Sequence, residues 1–185
     1  MNNAIAIPIA STVQGVNVAA IVHADHSIAD SLLADFAFSL QRSGRRVRGL
    51  VQRFRGGASG KKAALLLDLG DGTTYPLFQN LGSGSVSCSV DENSLAAASV
   101  VLRRALGEKP DLVIVNRFGP LEAAGGGFVT EMLALMSEGI PVLTVVAESC
   151  LAEWRDFTGD CGVPLASTPE ALENWFAGMC DKARK

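Results

Sequence analysis

The residues best suited to chemistry in this chain are those that can grip an anion, and they fall in three places. The run Asp111-Leu112-Val113-Ile114-Val115 is apolar after its first residue and gives way at once to Asn116 and Arg117, with Glu122 close behind. A guanidinium holds an oxyanion through a planar fork of N–H donors, and a neighbouring amide adds both a donor and an acceptor. Between Arg42 and Lys62 stand eight of the 16 basic residues and no acidic one. Within that stretch Arg53 and Arg55 lead into Gly56-Gly57-Ala58-Ser59-Gly60, a backbone able to turn several N–H groups inward. The third place is the loop from Asn80 to Ser89, made of small and hydroxyl residues, whose Ser83 and Ser85 either donate to the same anion or sit in a plain connector.

These groups meet only if the elements that carry them end side by side. Val16 to Val22 reads as a buried strand, His23 to Ser27 as a loop, and Ile28, Leu32, Leu33, Phe36 and Leu40 as the apolar face of a helix that Gly44 ends. Ser27 with Asp30 fits a capping box at its start. Arg45 to Phe54 reads as a second strand. Ala63 to Leu69 and Thr73 to Phe78 flank Gly70-Asp71-Gly72, the composition of a tight antiparallel hairpin. Asp91 caps a helix over Glu92 to Leu106, and the strand Asp111 to Val115 and a polar loop follow. Beyond them come a helix over Phe128 to Ser137, the break Gly139-Ile140-Pro141, the strand Val142 to Val146 and a helix over Leu151 to Phe157. A last helix starts at the capping box Ser167-Thr168-Pro169-Glu170. This order predicts an α/β layered domain, a mostly parallel sheet carrying an antiparallel hairpin, with its ligand site along the carboxyl ends of the strands. Residues 1–15 form an extension, 16–157 the core and 158–185 a C-terminal helix region of one domain.

A length of 185 residues suits such a single domain, and the net charge of −3 hides the basic cluster rather than excluding it. No apolar run approaches the roughly 18 to 20 residues of a membrane span, and the apolar segment Ala4 to Val13 lacks a basic flank, so a cytoplasmic protein without membrane contact is expected. The four cysteines, Cys88, Cys150, Cys161 and Cys180, have no metal-ligand spacing and read as small buried thiols. His23, Asp25 and His26 could hold a metal but lack a fourth partner, and neither a metal nor a cofactor is expected. Phe54 is the sole stacking aromatic among the basic residues, which argues against nucleic acid. Ser27 and Ser31 have no His or Asp arrangement that would make a nucleophile.

The turn into the first helix is where a phosphate-binding loop, Gly-x-x-x-x-Gly-Lys-Ser/Thr, would lie in a layered fold of this kind. Here Ile28-Ala29-Asp30 take the glycine, lysine and hydroxyl positions, and Asn116 stands where such enzymes offer a carboxylate to Mg²⁺ and water. Asp111 to Phe128, Gly49-Leu50-Val51-Gln52 and Gly139-Ile140-Pro141-Val142-Leu143 nevertheless resemble the thermophile-type P-loop nucleoside triphosphatases. More closely, Leu50-Val51-Gln52-Arg53 and Val115-Asn116-Arg117-Phe118-Gly119 with Glu122 resemble a bacterial family of unknown function, degenerate relatives of that group often encoded beside molybdate-uptake genes. That resemblance implies a P-loop-like fold and a link to molybdenum.

The reading favoured by these residues is a non-hydrolytic small-anion-binding or regulatory protein, for molybdate-type oxyanions by family association. Its expected ligand residues are Arg53, Arg55, Ser83, Ser85, Asn116, Arg117 and Glu122. A nucleotide-binding protein or nucleoside triphosphatase with its cation moved to Lys61 or Arg117 is the alternative. An oligomeric scaffold without a small ligand is the third, and a homo-oligomer fits any of them.

Overall fold

In the computed structural model, which describes residues 17–56, 62–78 and 90–182, the branched runs become the centre of a seven-stranded sheet. In chain order the strands are β1 (Val18–His23), β2 (Val47–Gly56), β3 (Lys62–Asp68), β4 (Thr74–Pro76), β5 (Leu112–Ile114), β6 (Val142–Ala147) and β7 (Val163–Leu165). The helices are α1 (His26–Arg42), α2 (Glu92–Glu108), α3 (Pro120–Ala123), α4 (Val129–Ser137), α5 (Leu151–Thr158) and α6 (Pro169–Lys182). The sheet order is β4-β3-β2-β5-β6-β1-β7. Strands β2, β5, β6, β1 and β7 are parallel, while β3 pairs antiparallel with β2 and with β4. This is the expected mostly parallel α/β sheet with an antiparallel hairpin.

Alternation along the strands divides the core into two layers, because successive side chains point to opposite faces. Val18, Ala20, Leu50, Val113, Val115, Val142 and Val146 pack against α2, α4 and α5. Ala19, Ile21, Val47, Val51, Leu112, Ile114, Leu143 and Val145 pack against α1 and α6. Helices on both faces explain why β5 and the Val18–Val22 part of β1 are apolar throughout rather than alternating.

Three local readings are corrected. The cap of α1 is Asp25, whose carboxylate accepts from Ser27 N at 2.9 Å and from Ser27 Oγ at 2.8 Å, not the Ser27 and Asp30 box. The buried face of α1 runs through Ala29, Leu33, Phe36 and Ala37, and Ile28 is 61 % exposed. Alanines at the seam let the helix approach the sheet closely, which leaves the bulkier Ile28 outside. At α6, Thr168 Oγ1 accepts from Ala171 N, while Ser167 Oγ donates to Val22 O at 2.8 Å and ties the β7–α6 turn to the end of β1. Strand β7, three residues with Pro164 at its centre, and the single turn α3 have no counterpart in the sequence reading.

Candidate functional site

The site begins with an irregularity at the end of β5. Val115 N donates to Leu143 O at 3.0 Å, and the next bond to β6 comes from Phe118 N, to Val145 O at 2.9 Å. A regular parallel ladder advances two residues on each strand between such bonds, so the chain carries one residue too many, a bulge at Asn116 and Arg117. The bulge lifts both residues out of the ladder at the carboxyl edge of the sheet, where open α/β sheets bind ligands.

Arg117 turns toward α1. Its Nη2 donates to both oxygens of Asp30, at 2.9 and 2.8 Å, and the Asp30 carboxylate is 5 % exposed. One nitrogen thus serves the whole carboxylate, instead of the two-nitrogen fork that arginine can form. Arg117 Nε is buried without a hydrogen-bond partner among the described residues, and so is Oδ1 of the buried Asn116. The sequence reads Asp30 as the partner of Ser27 in a capping box; its spacing from Leu33, Ala34 and Ala37 puts it on the buried face, the signal that finds it.

Glu122 closes the other side. Its Oε2 accepts from Gly119 N at 3.0 Å and holds the turn that starts α3. Burial pushes its carboxyl above the ordinary glutamate range, opposed by the amides of Gly119, Glu122 and Phe128 and by the charge of Arg117. Gly119 is flanked by both groups: a Cβ there would lie 3.6 Å from Arg117 Cδ and 3.7 Å from Glu122 Oε2. The direct ion partner of Arg117 is therefore Asp30 and not Glu122.

The other expected ligands lie elsewhere or outside the described residues. β2 pairs with β5 only over Val47–Gly49, so Arg53 and Arg55 stand on the part of β2 that runs on beside β3 alone. The Arg53 guanidinium lies over the Phe38 ring, 5.1 Å from its centroid, and Arg55 is exposed. Phe38 and Asp30 are both on α1, about 12 Å apart along its axis at the usual helical rise. Ser83, Ser85 and Lys61 fall outside the described residues. Much of the basic stretch is structural: Arg45 lies 5.8 Å over Phe176, Arg46 donates to Glu108 O and Lys109 O, and Arg48 pairs with Glu108.

Only Ala24 and Asp25 separate β1 from α1, and Asp25 occupies the helix start with its own carboxylate. A glycine-rich phosphate loop needs a longer wrap and free N–H groups there. A cavity of about 530 Å³ lies between α2 and α4 on the opposite face from α1; Glu92, Ser99, Arg103, Leu121, Thr130 and Glu131 line it. The sequence gives no hint of it, since its lining comes from helices distant along the chain. No helix among the described residues is long and apolar enough to cross a membrane.

Comparison with known proteins agrees with this architecture. A solution structure of a human cancer-related nucleoside triphosphatase superposes with a TM-score of 0.61 at 16 % identity, covering 90 % of this chain and 97 % of that one. The crystal structure of THEP1 from the hyperthermophile Aquifex aeolicus gives 0.55 at 13 % identity, covering 88 % and 95 %. The fold is thus that of P-loop nucleoside triphosphatases. A molybdenum import ATP-binding protein, ModC 2 of Bradyrhizobium diazoefficiens, is 38 % identical over 169 residues, 91 % of this chain. The chain spans only 19 % of that relative's length. Residues 18–175 match the family described as Protein of unknown function (DUF2478), and the chain belongs to that family.

Proposed function

We propose that this protein binds a small tetrahedral oxyanion of the molybdate type without hydrolysing nucleotides, and that it serves a regulatory role in molybdenum homeostasis. The observation that carries this reading is the Arg117–Asp30 pair. By the sequence reading, Asp30 takes the position from which such enzymes present a hydroxyl to Mg²⁺, and Asn116, beside Arg117, the position of their carboxylate. The chain thus has an amide, with a guanidinium beside it, at the position where the nucleotide enzymes use a carboxylate. The self-capped two-residue turn before α1 points the same way. The name of the ModC 2 relative supports molybdenum as the setting. Arg117 and Asn116 form the centre of the site, and Arg53 and Arg55 add positive potential from the β2 arm.

Nucleotide binding is the second reading, favoured by the fold and by the words ATP-binding in that relative's name. Calorimetry and a phosphate-release assay separate the two. Molybdate should give a saturable heat, and Mg-ATP and Mg-GTP should release phosphate no faster than a protein-free blank. Turnover well above the blank overturns the non-hydrolytic reading.

A further inference from the structure

We infer that Asp30 is a built-in competitor for the anion on Arg117: the carboxylate holds the guanidinium while the site is closed, and an oxyanion binds by taking its place. The inference rests on the oxyanion reading above and adds to it a regulation of the same site.

The geometry of the pair is the warrant. A carboxylate in full register with arginine takes two N–H groups from two nitrogens. Here both Asp30 oxygens share Nη2, at 2.9 and 2.8 Å, and the buried Nε has no hydrogen-bond partner among the described residues. A tetrahedral anion is not tied to a backbone, so it can slide along the guanidinium edge and take Nε and Nη2 together. That satisfies a donor the closed pair leaves unsatisfied. Asn116, on the same bulge, is 5 % exposed with an unpartnered Oδ1, and its amide can turn to offer N–H to the incoming anion.

Asp30 has somewhere to go. It lies in the second turn of α1, between the exposed Ser27 and Ser31, and its carboxylate can swing toward that exposed edge on release. Glu122 is the other acid near Arg117, and its Oε2 is already engaged, accepting from Gly119 N at 3.0 Å. The two carboxylates therefore differ in role: Asp30 exchanges with the ligand, whereas Glu122 stays on the Gly119 amide.

The test is calorimetry with sodium molybdate, and with sulfate as a second tetrahedral dianion, on the wild-type chain, Asp30→Asn and Arg117→Ala. Removing the competing charge should tighten molybdate by about ten- to a hundred-fold in Asp30→Asn, the size of effect one neighbouring charge has on another's ionisation. Arg117→Ala should lose binding. If Asp30→Asn binds no more tightly than wild type while Arg117→Ala still loses binding, the competition is wrong and the oxyanion site stands. If no variant binds either anion, the oxyanion reading falls and the competition with it. The wild-type chain supplies a readout that needs no substitution: the Arg117 Nε–H resonance should shift as molybdate saturates, and an unchanged resonance in a chain that binds molybdate overturns the exchange.

Discussion

Glu122 occupies the space that a side chain at Gly127 would fill: a Cβ built on Gly127 overlaps Glu122 Oε1. Gly127 also has a φ of 57°, a left-handed conformation that costs an L-residue about 1 to 2 kcal/mol. Gly127→Ala should therefore expel the carboxylate from its cradle as well as strain the backbone, at a total of about 2 to 4 kcal/mol. Urea denaturation measures this. In Gly127→Ala/Glu122→Ala the overlap is gone, so the pair should cost less than the sum of the singles, by about 1 kcal/mol or more.

The same carboxylate should make stability depend on pH. Its folded-state pKa is raised, chiefly by burial, so it contributes stability that is full below the ordinary glutamate range and is lost as pH climbs through the raised value. Glu122→Gln keeps an oxygen to accept from Gly119 N but never carries charge. The variant should gain in melting temperature relative to wild type between about pH 4 and pH 8. A constant difference across that range would mean that Glu122 titrates as an exposed glutamate does.

How much of this was legible follows from where the deciding interactions lie. Leu112, Val113 and Ile114, like Val142, Leu143, Val145 and Val146, put apolar side chains on both faces, the pattern of a strand covered by helices on both sides. The adjacency of β5, β6 and β1 could therefore be read, and so could the polar break at Asn116. Strand β7 could not, since Val163-Pro164-Leu165 is short and two of its three side chains are exposed. The Asp30 partner of Arg117 lies 87 positions away and depends on a bulge that no local pattern encodes. The contact of Arg53 with Phe38 depends on how the β2 arm crosses α1, which is a property of sheet twist rather than of either segment.

Gly49 tests the sheet that carries the site. It lies in β2 with a φ of 107°, and a Cβ there would overlap the backbone of Ile114 on the neighbouring strand. Backbone cannot yield as a flexible side chain can. Gly49→Ala should therefore force β2 from β5 at a cost of about 3 kcal/mol or more, in the range of the most damaging single substitutions. Thermal melting and recovery of soluble protein report it. Gly107→Ala, in α2 with open space around its Cβ position, is the control and should be neutral or slightly stabilising.

Arg53 and Arg117 both lie against α1, but on partners of different kinds, and that difference predicts unequal effects on anion binding. Arg117 sits on the bulge and presents an N–H with no partner among the described residues, so it can touch a ligand directly. Arg53 is spread over the Phe38 ring and acts at a distance through its charge, which water and salt screen. Charge-assisted hydrogen bonds contribute about 1.5 to 3 kcal/mol each, so Arg117→Ala should weaken molybdate by roughly ten- to a hundred-fold. Arg53→Ala should weaken it by no more than about three-fold, with the effect vanishing at high salt. Its stability cost should be about 0.5 to 1 kcal/mol, that of an exposed cation–π contact. If Arg53→Ala instead matches Arg117→Ala and the loss persists in salt, both guanidiniums grip one anion, and the site must extend from the β5 bulge to the β2 arm.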